Sequence, residues 1–292
     1  MYELIKVSER CYYIDCPSKI GVVKVSDGEV ILIDSGNSKD TGKRIRKILT
    51  ENGWTLKAIF NTHSHADHIG ANNYLQSLTG CRIYARGIEA DFTNHPLLES
   101  LYVFGGYSPK ELRHKFLLAD ESRVDELSEE VLPEGMSLIH LPGHSFDMVG
   151  FLVDDGTAYI GDAYSSTQTL DKYRIGFIHD VGAYLDTLSK LNDIGAKVYI
   201  PSHAEPTDNV SEIAEYNAKC VMGIIDSILR LCREPVIFEE LLQSLFDEYS
   251  MTMSFEQYAL VGSTVRSYLA YLKDKGEVEV IFENNKMYWK SI

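Results

Sequence analysis

The chain is 292 residues long, 45% hydrophobic and 24% charged, with 28 Lys and Arg against 43 Asp and Glu for a formal net charge of −15. That composition lies in the ordinary globular range and excludes disordered, collagen-like and low-complexity classes. The acidic balance also works against nucleic acid as a partner, because each phosphate contact needs a basic patch acting against the field of the whole protein.

The opening Met1-Tyr2-Glu3-Leu4-Ile5-Lys6 is charged and leads into no apolar segment, so no secretory signal is read there. No stretch approaches the roughly 18 uninterrupted apolar residues of a membrane span. The five scattered cysteines, Cys11, Cys16, Cys81, Cys220 and Cys232, suit free thiols in a reducing cytoplasm better than a disulfide framework. The expectation is a cytoplasmic protein with no membrane partner.

Strands are predicted at residues 2–7, 11–15, 20–26 and 29–34, with Asp27-Gly28 as a hairpin turn. Ser38 or Asp40 then caps a helix that runs to about Asn52 and stops at Gly53, and Ile45, Ile48 and Leu49 give it one apolar stripe. A strand follows at 56–61, then a histidine-rich loop at 62–68, an amphipathic helix to about Leu78 and a strand at 81–85. Residues 87–135 break the pattern with Pro96, Gly105-Gly106 and Pro109 among helix-like pieces such as 109–118, and read as a helical insert lying over the sheet. Strands resume at 137–141, 149–153 and 157–160, followed by a helix near 183–193 and a strand at 197–200. Strands alternating with single helices in both halves predict an α/β fold of four layers, αββα, with the sheets inside.

Beyond about residue 210 the texture changes. Helices are predicted at 211–232, 238–249 and 255–275, and a hairpin at 278–282 and 286–289 turning at Glu283-Asn284-Asn285. This is the outline of a winged-helix module, or of a helical cap covering the flank of the first unit. Two domains are therefore expected, 1–210 and 211–292. The second holds eight Lys and Arg against thirteen Asp and Glu, which does not suit a DNA-reading wing.

The chemistry concentrates in His63-Ser64-His65-Ala66-Asp67-His68, placed where a strand ends and a helix begins. Residues i and i+2 of an extended backbone point the same way, so His63 and His65 can grip one metal, while Asp67 and His68 turn toward a second. Imidazole and carboxylate donors suit zinc, iron or manganese rather than calcium. More ligands are needed than one loop supplies, and three further strand ends offer them: His144 in Leu141-Pro142-Gly143-His144-Ser145, Asp162 in Tyr159-Ile160-Gly161-Asp162, and His203 in Ile200-Pro201-Ser202-His203. The carboxyl edge of a sheet is where open α/β folds gather their sites.

HxHxDH followed by GH, GD and a last histidine resembles the metallo-β-lactamase superfamily over roughly residues 1–210. The resemblance implies a four-layer αββα sandwich. It further implies that His63, His65 and His144 hold one metal, that Asp67, His68 and His203 hold another, and that Asp162 bridges them. Asp34, in Ile31-Leu32-Ile33-Asp34-Ser35-Gly36, matches the family's early strand-end Asp and would orient a ligand histidine through its free ring nitrogen. The bridging Asp162 points away from the class B β-lactamases, and His65, where flavodiiron proteins carry Glu, points away from diiron oxygen reduction. The added motifs of ribonuclease Z and the β-CASP nucleases are absent. Glyoxalase II-like thioesterases and related hydrolases remain, although Pro201-Ser202-His203-Ala204 departs from the commoner PGHG.

The expected protein is thus a metal-dependent hydrolase in which hydroxide held by two zinc ions, with iron or manganese as alternatives, attacks an ester, thioester, amide or phosphoester of a small-molecule substrate. Asp67 is the candidate catalytic residue as well as a ligand. His179 and Tyr164 are candidate substrate contacts, and Tyr107 a candidate pocket aromatic. His95, His114 and His140 are expected to do no more than pack. A cationic centre would attract an anionic substrate despite the negative net charge. The alternative is a mononuclear iron oxidoreductase resembling persulfide dioxygenases, built on His63, His144 and Asp162. The motifs name neither the substrate nor the oligomeric state.

Overall fold

The computed structural model describes residues 2–292. The amino-terminal strands form a meander: β1 (Glu3–Lys6), β2 (Cys11–Asp15), β3 (Ile20–Ser26) and β4 (Glu29–Ile33) pair antiparallel in order. After helix α1 (Lys39–Glu51), capped by the Ser38 hydroxyl, strand β5 (Thr55–Phe60) returns parallel to β4. The short helices α2 (Ala66–Ile69) and α3 (Asn72–Thr79) lead to β6 (Arg82–Ala85), again parallel. Helices α4 (Gly87–Asn94) and α5 (Leu97–Phe104) open the insert, and its two-residue strand β7 (Asp125–Glu126) completes a seven-stranded sheet in the order β1 to β7. A second sheet, ordered β11-β10-β9-β8, comprises β8 (Met136–His140), β9 (Val149–Val153), β10 (Thr157–Gly161) and β11 (Val198–Pro201). Helices α6 (Thr167–Tyr173) and α7 (Val181–Lys190) connect its last two strands.

The layering follows from strands that are apolar on both faces. In β4, Ile31 and Ile33 pack toward the second sheet with Phe60, Phe151 and Tyr159. Val30 and Leu32 face the other way, onto Ile45, Leu49 and Leu75 of α1 and α3. Four layers are the result, as the sequence predicts.

Three differences have physical causes. The single helix expected after the histidine loop is broken at Gly70, which lies so close to the Asn37 carbonyl that a Cβ would overlap it. Gly70→Ala is expected to cost about 3 kcal/mol or more, because the neighbour in the way is backbone; urea unfolding measures it. The helix expected at 109–118 is one 3₁₀ turn, Lys110–Leu112. Leu112 and Leu117 are both buried against Val103 and Ala259, and a spacing of five would place them about 140° apart on a continuous helix. Finally, α6 answers to no predicted element, since it buries none of its residues and so shows no apolar period.

The carboxyl-terminal order is three helices and a hairpin: α8 (Ser211–Leu231), α9 (Phe238–Glu248), α10 (Phe255–Asp274), β12 (Val278–Glu283) and β13 (Lys286–Ser291). Asn284 and Asn285 both adopt positive φ, as a two-residue hairpin turn demands. These helices share one core with α7: Tyr184 and Leu188 pack in the same cluster as Ile224, Leu245, Tyr268 and Leu269. The insert reaches α10 as well, through Leu112, Leu117 and Ala259. No helix among the described residues is long and apolar enough to cross a membrane.

Candidate metal centre

The seven candidate ligands come together at the carboxyl edges of both sheets. His63 and His65 leave the end of β5, His65 serves as the amino-terminal cap of α2, and Asp67 and His68 lie in that helix's single turn. His144, Asp162 and His203 follow β8, β10 and β11. Ligand atoms gather within 4.8 Å of one another in three groups: His63, His65 and His144; His63, His68 and Asp162; and Asp67, His68 and His203.

In the first group the ring nitrogens converge. His63 Nε2 and His144 Nε2 lie 3.0 and 3.1 Å from His65 Nδ1. The far sides of the outer two rings fix their tautomers. His144 Nδ1 donates to the Phe177 carbonyl at 3.1 Å. The Thr62 hydroxyl donates to Asp34 at 2.8 Å, so its oxygen is free to accept from His63 Nδ1 at 3.0 Å. Both Nε2 atoms therefore turn lone pairs inward. None of the three rings takes a proton readily: burial, then the neighbouring imidazoles, holds His63 well below the usual histidine range, burial with His144 drives His65 down to about 3, and burial lowers His144. Lone pairs converging on buried rings that resist protonation call for a cation between them.

The group of Asp67, His68 and His203, with Asp162 beside it, is carboxylate-rich. His68 Nδ1 donates to Asp34 at 2.9 Å, while its Nε2 is buried without a hydrogen-bond partner, 3.6 Å from Asp67 and 3.4 Å from Asp162. His203 Nδ1 donates to the Pro17 carbonyl at 2.8 Å, and its Nε2 lies 3.0 Å from Asp67. Burial opposes charge on His203, yet Asp162 and Asp67 outweigh it and hold the imidazole up at about 9. Burial would raise both acids, but His68 and His203 hold Asp67 and Asp162 well below the usual carboxylate range. Asp162 stands between the groups. Its Oδ1 is a further buried atom with no partner, and its Oδ2 lies 3.5 Å from His144 and 3.4 Å from His203. Imidazole and carboxylate donors, two of them orphaned, fit divalent transition metals.

The frame around these groups is rigid. Asp34, 2% exposed and at a φ of 65°, accepts from the Thr62 backbone and hydroxyl and from His68. Gly143, at a φ of 121°, lets the His144 loop press against the first turn of α7, where a Cβ would meet the backbone of Tyr184. Sequence reasoning missed two supports. Ser18 donates to Asp67 at 2.7 Å from the turn between β2 and β3. Glu89, fully buried on α4, accepts from the Ser64 backbone and hydroxyl, the Ser145 hydroxyl and the Asp147 backbone, so one carboxylate ties together the loops that carry His63, His65 and His144. Its only signal is an acidic residue in the first turn of a helix that follows a strand end. Glu89→Ala strands three buried donors and one part-buried one and is expected to cost about 3 kcal/mol in equilibrium unfolding.

A cavity of about 350 Å³ opens over the cluster, with His65, Asp67, His144, Asp162 and His203 in its floor and α10 in one wall. Tyr164 is among the residues that line it. His179 does not line it: its Nδ1 meets the Tyr102 hydroxyl at 2.6 Å and its ring packs on Phe146. Tyr107, 72% exposed, lies over Arg113 instead of lining the cavity. The anionic substrate expected of a cationic centre finds no lysine or arginine among the described residues that line the cavity.

The family model described as "Metallo-beta-lactamase superfamily" matches residues 13–203. Among characterised relatives, an "Atrochrysone carboxyl ACP thioesterase" of Aspergillus chevalieri is 26% identical over 197 residues, covering 65% of this chain and 53% of that protein. A "Hydroxyacylglutathione hydrolase" of Maricaulis maris is 26% identical over 115 residues, 38% of this chain and 34% of its own. The chain thus spans about half, or less, of the length of these two relatives. Among solved structures, a metallo-beta-lactamase family protein of Thermus thermophilus superposes with a TM-score of 0.73 at 18% identity, covering 100% of this chain and 98% of that one, so the likeness of fold extends through the carboxyl-terminal helices.

Proposed function

The chain belongs to the metallo-β-lactamase superfamily, and on that footing we propose that it is a metal-dependent hydrolase of a small-molecule ester, thioester, amide or phosphoester. The observation that carries this reading is the convergence of three imidazole nitrogens within 3.0 and 3.1 Å, beside two orphaned buried polar atoms.

His63, His65 and His144 would hold one divalent cation and Asp67, His68 and His203 a second, with Asp162 reaching both; zinc suits this donor set, with iron or manganese next. Such a pair supplies an acidified water and a Lewis acid for the electrophilic oxygen. The chain's own contribution is placement. Asp34, Thr62 and the Phe177 and Pro17 carbonyls fix which ring nitrogen of His68, His63, His144 and His203 faces inward. Asp67, the candidate catalytic residue, is held by Ser18 at the cavity floor, where its carboxylate can accept a hydrogen bond from the attacking water and orient it. Tyr164 and α10 shape the space in which the reacting bond lies. Residues 1–210 are the proposed catalytic unit, and 211–292 a winged-helix-like accessory unit that contributes a wall.

A panel of esters, thioesters, amides and phosphoesters assayed with metal-loaded protein tests the reading. Turnover of at least one class, lost on chelation and restored by zinc, supports it. Oxygen consumption on a thiol persulfide with no hydrolysis would transfer the site to the mononuclear iron alternative built on His63, His144 and Asp162.

A further inference from the structure

The cavity over the cluster has two arms. Besides the space of about 350 Å³ there is a smaller one of about 160 Å³; His65, Asp67, Phe177 and Leu260 line both, so both open onto the same pair of candidate ligands. The larger arm runs between residues 164–177 and α10, with Tyr164, Tyr173, Ile175 and Val261 in its walls and only uncharged polar groups, such as Gln257 and Thr264, beyond the cluster itself. The smaller arm is walled by Phe116 and Leu117 and carries the carboxyl groups of Glu99 and Glu256. Among the described residues, neither arm has a lysine or an arginine in its lining.

Beyond the cluster, a carboxylate or phosphate group carried into the larger arm would lose its water and meet no lysine or arginine short of the neighbouring space that Tyr173 and Gln257 also line, where Lys172 and Arg174 stand, which is unfavourable. An alkyl group would gain about fourfold in affinity for every methylene buried. Two arms meeting at one reactive centre also suit a reaction whose substrate is cut into two pieces.

We propose that this chain hydrolyses carboxylic esters or thioesters of uncharged, apolar acids, with the acyl chain lying along α10 in the larger arm and the leaving group departing through the smaller one. This rests on the hydrolase reading above and narrows it, since the apolar lining of the larger arm suits an uncharged acyl chain. The bond from the acyl carbon to the leaving oxygen or sulfur breaks, and a bond from that carbon to the water oxygen forms. One water proton goes to the leaving atom; the other is released as the acid leaves as carboxylate.

The test compares two six-carbon thioesters of one neutral thiol, the hexanoyl and adipoyl derivatives of N-acetylcysteamine, on the metal-loaded full chain. The expected kcat/KM favours hexanoyl by about 100-fold or more, and Gln257→Arg, which brings a guanidinium into the larger arm and not the smaller, narrows the ratio at least about tenfold. Binding supplies a readout independent of turnover: hexanoate should raise Tm, and adipate at the same concentration should not. Equal or faster hydrolysis of the adipoyl ester, with adipate stabilising as well as hexanoate, overturns the inference and leaves the hydrolase reading standing. No turnover of either thioester or of any ester, amide or phosphoester in the panel above, with hexanoate still preferred in binding, overturns the hydrolase reading and keeps the assignment of the arm.

Discussion

Asp162→Ala is expected to strip metal from the centre and lower turnover with it. Its carboxylate approaches both halves: Oδ1 lies 3.4 Å from His68 Nε2, and Oδ2 lies 3.5 Å from His144 Nε2 and 3.4 Å from His203 Nε2. Removing it takes a negative charge from between two proposed cations and leaves the raised His68 and His203 with Asp67 as their shared partner inside the cluster. Metal content should fall from two equivalents to one or none, and kcat/KM by about 10³-fold or more, the scale of losing the electrostatic stabilisation a catalytic metal provides. Asp162→Asn keeps the shape without the charge and should fall between the two. Elemental analysis of the purified variants beside their rates checks this; a variant without metal that keeps full turnover would remove the metal from the account.

The second large effect is the pH dependence of the metal-free protein. His63, His65 and His144 are held below the ordinary histidine value near 6.5, His65 down to about 3. A group with a depressed folded value contributes stability above its unfolded value and loses it as pH falls. Below pH 6.5 the unfolded chain therefore binds up to three protons that the folded chain refuses, a slope of up to about 4 kcal/mol per pH unit. His203 behaves oppositely. With its folded value up at about 9, its pairing with Asp162 and Asp67 is fully present below pH 6.5 and is lost as pH rises through 9. Chelated protein should thus be most stable near neutrality and weaken on both sides, steeply toward acid. Zinc should restore most on the alkaline side, because ligation needs neutral imidazole. Thermal denaturation from pH 5 to 9, with and without chelator, measures it; a metal-free profile flat over that range would contradict the burial and charge described for these histidines.

The sheets and the cluster were legible in the sequence because each depends on local pattern. Ile31 to Ile33 belongs to a short, β-branched-rich apolar run bounded by turn residues, as a strand buried on both faces presents, and the ligand candidates sit at strand ends where a short motif positions them. What escaped depends on contacts between residues far apart in the chain. Glu89 reads as an ordinary first-turn acid until Ser64 and Ser145 are seen around it, 25 and 56 residues away. His179 read as a substrate contact because it precedes a helix near the site, but Tyr102 of the insert claims its ring. The break at Gly70 and the irregular path of 109–118 were hidden for the same reason, since the Asn37 carbonyl and Ala259 of α10 decide them. The expectation of an anionic substrate followed from charge on the metals alone, and among the described residues the cavity lining adds no lysine or arginine to share the task.

Anomalous scattering from crystals of protein grown without added metal tests the central claim most directly. Two peaks at the zinc edge are predicted, one among His63, His65 and His144 and one among Asp67, His68 and His203, with Asp162 between them. A single peak at the iron edge, held by His63, His144 and Asp162 with the Asp67 and His203 side empty, would contradict the account.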